Sequence, residues 1–296
     1  MYSPLVFDAY VAPARLRPQL WRLILGIALI VMIYVAWMLG IGTLVALWMG
    51  LEALDAQLST MGLGREPAAL IVLLFTFIGM ALGTFATTAW IHKRKIATLF
   101  GPRAAVIRDF GLGAALLFAV SAPVAVLLLA TVDIAPGVVL TTWLAFLPFA
   151  LLGLLIQTGA EEILFRAYLQ QQLAARFATR WVWMVGPSVL FGLVHYAPAE
   201  AGPNAWMLVL ATGFFGLLLA DLTARSGNIG LAWGLHFANN VMAMLIFTTG
   251  EALDGLALFR LPFGVSNMGA MGWIVALDIA GMVLVWWIAR QMLRRR

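Results

Sequence analysis

The chain has no cysteine, which excludes disulfides, thiolate metal sites and a cysteine nucleophile. Charge is scarce too. Only 10% of the 296 residues are Asp, Glu, Lys or Arg, against roughly a quarter in a soluble globular domain. Lysine is rare beside arginine, and no stripe of basic residues interleaves with exposed aromatics. The net charge of +5 therefore points to membrane topology and anionic headgroups rather than to nucleic acid. No strand-like alternation runs along the sequence, and a backbone in lipid must satisfy its own hydrogen bonds, which leaves helices. An internal repeat of the kind that builds transporter halves is missing. The start, Met1 to Pro18, has no basic stretch running into a short apolar core and a small-residue cleavage site, so the first apolar run is expected to be an uncleaved span.

What fills the sequence is hydrophobicity: 64% of residues are hydrophobic and the mean hydropathy is +0.99. Eight apolar runs stand between charged or Pro/Gly-rich breaks: Leu23–Leu47, Ala68–Ile91, Gly111–Val132, Val138–Thr158, Trp181–Tyr196, Ala205–Leu222, Ile229–Thr248 and Met271–Ile288. Runs of about 20 residues suit a hydrocarbon core ~30 Å thick. The expected fold is an all-α, polytopic transmembrane helix bundle of about eight spans. It forms one integral domain over 1–296, with its motif-bearing core at about 138–248. The first run, ending in Gly40, Gly42 and Gly50, is long enough to require tilt or a bend.

Charge at the run ends alternates in sign. One set carries Arg15, Arg17 and Arg22; His92, Lys93, Arg94, Lys95, Arg103 and Arg108; Arg166, Arg176 and Arg180; Arg225; and Arg290 with Arg294, Arg295 and Arg296. The other carries Glu52, Asp55 and Glu66 with Arg65, then Asp133, Glu200, and Glu251 and Asp254 with Arg260. The basic ends are expected to be cytoplasmic, and with them both termini. Segments 92–110 and 166–180, mixed in polarity, are expected to lie along the interface, with His92 solvated in a basic loop.

Ionisable side chains within spans are costly and mark candidate sites. Here they are Glu161, Glu162, Arg166, His195, Asp221, His236 and Asp278. In Gly159-Ala160-Glu161-Glu162-Ile163-Leu164-Phe165-Arg166, Glu162 and Arg166 are i,i+4 neighbours with the acid on the favourable side. Glu161 projects about 100° away with no local cation, which suits a general base. A charged helix end is the plainer alternative. Phe191-Gly192-Leu193-Val194-His195 closes the fifth run before Pro198, and a lone histidine there can equally be structural. His236-Phe237-Ala238-Asn239-Asn240 places an imidazole and a carboxamide one turn apart on one face, an arrangement also used for interhelical hydrogen bonding. Asp221 and Arg225 read as a structural i,i+4 pair, and Asp278 has no assigned role.

Taken in order, Glu-Glu-x-x-x-Arg, Phe-x-x-x-His and His-x-x-x-Asn resemble the CAAX protease and bacteriocin-processing enzyme family, the type II CAAX prenyl endopeptidase-like intramembrane proteases. The signature spans Glu161 to Asn240, and the stretch Gly213 to Gly230 is also similar to the family. The resemblance implies that Glu161 acts with His195 to activate a water for attack on the scissile carbonyl. It implies that His236 and Asn240 donate to the resulting oxyanion, while Glu162, Arg166 and Phe191 support the site. The expected activity is glutamate-dependent endopeptidase cleavage of a membrane-associated peptide or protein near the cytoplasmic face.

Other readings stay open. Glu161, His195 and His236 have the ligand types of a catalytic zinc site, although no HExxH is present; the expected reaction uses no cofactor. A non-proteolytic protein of the bacteriocin self-immunity type, or a transporter with a buried polar relay, would use the same residues differently. The partners expected are the lipid bilayer and a membrane-associated substrate, whose identity and prenylation the sequence does not encode. The composition suits a bacterial inner membrane.

Overall fold

Every one of the eight apolar runs is helical, as a backbone without water requires. The computed structural model describes residues 4–50, 64–250, 252–264 and 267–295; Glu52, Asp55 and Glu251, counted above among the acids of one set of ends, lie outside them. A short helix, α1 (Pro4–Arg15), precedes α2 (Leu20–Met49), α3 (Pro67–Trp90) and α4 (Arg103–Thr131). Then α5 (Leu140–Glu162) passes through a π-helical stretch (Ile163–Leu169) into α6 (Gln170–Arg176). A π turn (Trp181–Val185) leads into α7 (Gly186–Leu193), and a single turn, α8 (Pro198–Ala201), precedes α9 (Ala205–Ser226). Next come α10 (Gly230–Val241), extended by a π turn (Met242–Ile246), and α11 (Met268–Arg294).

Six of these helical segments are long and apolar enough to cross a membrane: 20–48, 67–90, 103–131, 140–176, 198–226 and 272–294. The protein is an integral membrane protein. The two shorter helical segments, Trp181–Leu193 and Gly230–Ile246, bear or adjoin the second and third motifs. Large exposed side chains such as Leu25, Val31, Leu39, Val126, Leu127 and Leu277 form the outer surface, the composition lipid demands. The first span is one helix of 30 residues, about 45 Å at 1.5 Å per residue.

Two stretches expected along the interface differ from that reading. Residues 103–110 belong to α4, and residues 163–176 continue α5. The mixed polarity of the second stretch reflects burial in protein: Phe165, Arg166, Tyr168, Gln170, Gln171 and Gln172 are all buried. Part of the cover is α1, whose Phe7, Tyr10, Val11 and Ala14 are buried, with the Phe7 ring 4.7 Å from that of Trp183. His92 is likewise not solvated. It is 2% exposed, with Nε2 2.9 Å from the Tyr168 hydroxyl and Nδ1 3.3 Å from the Arg17 carbonyl. The Tyr10 hydroxyl donates to the Leu99 carbonyl at 2.6 Å, Gln171 donates to the Thr98 carbonyl at 3.1 Å, and Arg94 donates to Gln171.

A small sheet was not foreseen. β1 (Ala135–Pro136), β2 (Phe247–Thr248) and β3 (Phe259–Arg260) take the order β1-β3-β2, antiparallel for β1–β3 and parallel for β2–β3. Each has two residues, too few for an alternation to be visible in sequence. The sheet ties the ends of α4 and of the α10 extension to the loop before α11, where Arg260 meets buried Asp254 at 3.2 Å.

The feature that positions the chemistry is the packing of α10 against α4. A Cβ at Gly234 would collide with the Phe110 carbonyl, and one at Gly113 would lie 2.6 Å from the Leu231 carbonyl. Small residues let helix backbones approach closely where lipid offers no hydrophobic drive to pair. The turn before α10 is held as well. Gly227 takes the left-handed conformation at φ 67, as a helix C-terminus favours. Asn228 donates to buried Asp109 at 2.9 Å and accepts from the Gly230 amide at 2.8 Å.

Candidate active site

The last turns of α5 present Gln157, Glu161 and Glu162 to α10, and all three are buried. Glu162 is 0% exposed and Arg166 2% exposed; their ion pair, Nη1 to Oε1, measures 3.1 Å. The sequence expectation of an i,i+4 pair is met, and the pair lies in the interior rather than at an exposed helix end. Arg166 also stacks, its guanidinium carbon 4.2 Å from the centre of the Phe191 ring. Gly216 of α9 makes room, since a Cβ there would lie 3.1 Å from both Arg166 Nη2 and the Phe191 ring.

His236 sits between the two glutamates. Its Nδ1 is 2.8 Å from Glu162 Oε1, and its Nε2 is 3.3 Å from Glu161 Oε2. The longer contact lacks hydrogen-bond alignment and is ionic only when the imidazole is protonated, and Glu161 Oε2 is buried with no hydrogen-bond partner. The rings of Phe191 and Phe215 meet the imidazole edge-on, each with centroids 5.8 Å away. One turn along α10, the Asn240 amide donates to Gln157 Oε1 at 2.8 Å.

His195 lies just past α7, partly exposed, with Nδ1 2.6 Å from the Phe191 carbonyl and its ring 4.8 Å from the Phe191 ring. A carbonyl can only accept, so Nδ1 carries the proton and the lone pair is on Nε2. No ion-pair contact joins His195 to either glutamate among the described residues; Phe191, packed against both His195 and His236, connects the second motif to the other two. The three motifs therefore converge, with His195 one aromatic ring removed. Among the described residues no group of three or more His, Asp and Glu stands placed to hold a metal ion.

Residues 141–242 match the family model for type II CAAX prenyl endopeptidase Rce1-like proteins. This segment resembles that family. It contains Glu161, Glu162, Arg166, Phe191, His195, His236 and Asn240. Over 113 residues the chain is 30% identical to the uncharacterized protein YyaK of Bacillus subtilis (strain 168), which covers 38% of this chain and 37% of that relative. The chain thus matches little more than a third of that relative's length. No solved structure matches.

Some residues of the site do not stand out in the sequence. Gln157 is uncharged and stands in an otherwise apolar run, four residues before Glu161; that spacing was the available signal. Phe215 and Gly216 lie in the stretch Gly213 to Gly230 similar to the family, but no spacing singles them out. Asp221 is a structural hub, accepting from Arg225 Nε at 2.7 Å and from Trp286 Nε1 at 2.9 Å. Asp278 lies on an exposed face of α11.

Proposed function

We propose that the protein is an intramembrane endopeptidase that hydrolyses a membrane-associated peptide or protein near the cytoplasmic face, with Glu161 as general base. The observation that carries this is the buried Oε2 of Glu161, which accepts no hydrogen bond and lies 3.3 Å from a ring nitrogen of His236. A carboxylate so placed, with Arg166 committed to the neighbouring Glu162, is available to take a proton. The Rce1-like segment supports the same reading.

In the proposed reaction, water bound between Glu161 and His195 Nε2 loses a proton to Glu161 while its oxygen attacks the scissile carbonyl carbon. Once protonated, Glu161 is a poorer acceptor. With Nδ1 donating to Glu162, this step requires His236 as the doubly protonated imidazolium, whose Nε2–H then turns to the stronger acceptor, the new oxyanion, which Asn240 also bonds. Such pre-positioned donors contribute ~3–4 kcal/mol each. Collapse breaks the C–N bond, and the proton on Glu161 passes to the leaving amine. Glu162 and Arg166 hold the His236 ring throughout.

The test uses purified protein in detergent with an internally quenched peptide library. Glu161→Gln keeps the shape and removes the base. Folded variant protein without turnover is the expected result. Turnover near the parent's would overturn the assignment of Glu161, and a parent that cleaves nothing would overturn the protease reading in favour of an inert or transporting protein.

A further inference from the structure

We propose that Gln157 is a positioning residue for the hydrolysis, one that fixes the Asn240 carboxamide as oxyanion donor. This rests on the protease reading above and extends it to a residue outside the three motifs. Helices α5 and α10 run antiparallel here and meet in two rungs, Glu161–His236 at 3.3 Å and Gln157–Asn240 at 2.8 Å. Both rungs are spaced four residues apart on each helix, so Gln157 stands to Asn240 as Glu161 stands to His236.

The Asn240 amide is fixed at both ends. Its Nδ2 donates to Gln157 Oε1 at 2.8 Å, and its Oδ1 accepts from Asn239 Nδ2 at 3.3 Å. A carboxamide nitrogen carries two protons. Gln157 takes one, which sets the plane of the group and leaves the second N–H with a single direction. Gln157 is 5% and Asn240 9% exposed, so water does not compete freely for either. Without Gln157 the Asn240 side chain keeps only the longer contact from Asn239, and a donor displaced by about 1 Å can cost on the order of 100-fold in rate.

The experiment is a double-mutant cycle on the peptide that the parent cleaves fastest from the quenched library. Gln157→Met and Gln157→Leu, which keep bulk and remove the acceptor, are each made alone and with Asn240→Ala; melting is followed in detergent. The expected result is a kcat lower by about 10- to 100-fold with KM within about twofold of the parent, and a melting temperature close to the parent's. Each double variant should be no slower than Asn240→Ala alone, because there is then no donor left to position. A parent-like kcat, a defect confined to KM, or losses that multiply in full with Asn240→Ala would overturn the proposal. Failure of both single variants to fold would overturn it too, making Gln157 a folding residue. Glu161→Gln separates the two levels: turnover lost in Glu161→Gln but kept in Gln157→Met refutes only the role of Gln157, whereas a parent without Glu161-dependent turnover refutes both.

Discussion

Arg166→Met tests whether the buried ion pair holds the site together. Arg166 and Glu162 are 2% and 0% exposed, so solvent cannot take over when one partner goes. The Glu162 carboxylate would keep only the Nδ1 of His236, at 2.8 Å, and removing one partner of a buried pair costs ~3–5 kcal/mol. Loss of the guanidinium over Phe191, 4.2 Å away, costs up to ~2 kcal/mol more when desolvated, while methionine retains most of the packing of the stem. At ~2–4 °C per kcal/mol for a chain of this order of size, the melting temperature should fall on the order of 10 °C. The 12 tryptophans make intrinsic fluorescence in detergent a direct readout. Glu162→Leu/Arg166→Met should recover part of the loss, since no unpaired charge remains in the interior. A single variant melting within about 2 °C of the parent would place the pair with exposed ones, which contribute ~0–1 kcal/mol. A double variant that falls as far as the single would show that packing, not charge, carried the effect.

Asn240→Ala should lower kcat by about 10²- to 10³-fold with little change in KM, because an oxyanion donor strengthens its bond in the transition state; a KM-dominated defect would make Asn240 a substrate-binding group instead. Turnover should persist in excess EDTA and 1,10-phenanthroline, and inactivation reversed by zinc would replace the glutamate mechanism with a metal-dependent one while keeping the hydrolase. Burial lowers the pKa of His92 from 6.5 to about 4, aided by the charges of Arg94, Arg22 and Arg17 and opposed by its bond to the Arg17 carbonyl. The unfolded chain therefore binds the proton below about pH 6.5 while the folded one stays neutral to about pH 4, so stability is full above 6.5 and lost as pH falls between the two. Melting temperature should drop from pH 7.5 to pH 5 in the parent and drop less in His92→Gln; equal slopes would refute this placement of His92.

The helices were legible because lipid leaves an apolar chain no other way to satisfy its backbone, and pairs within one helix because spacing alone defines them. Glu162–Arg166 at 3.1 Å and Asp221–Arg225 at 2.7 Å are both of that kind. Contacts between helices were not legible. Nothing in the spacing of Glu161 and His236 says that the imidazole lies between two carboxylates. Gln157 does not stand out because a neutral amide carries none of the cost that marks a charge in the membrane. The burial of His92 is not legible because a basic loop looks the same in sequence whether water or protein covers it, and its partners, the Arg17 carbonyl and the Tyr168 hydroxyl, lie some 75 residues away.

What joins the motifs into one site is register. A slip of α10 by one residue moves each side chain about 1.5 Å along the helix and 100° around it, enough to break both Glu161–His236 and Gln157–Asn240. Neither rung is placed to set that register alone, since the first is a 3.3 Å contact without hydrogen-bond alignment and the second is one neutral bond. The restraint lies on the other side of α10. There Gly234 and Gly113 bring it against α4, and Asp109 holds Asn228, whose own oxygen accepts from the first amide of the helix, that of Gly230. The geometry of the proposed site thus depends on glycines and a turn that take no part in the proposed chemistry, as well as on the 2.8 Å contact of His236 with Glu162.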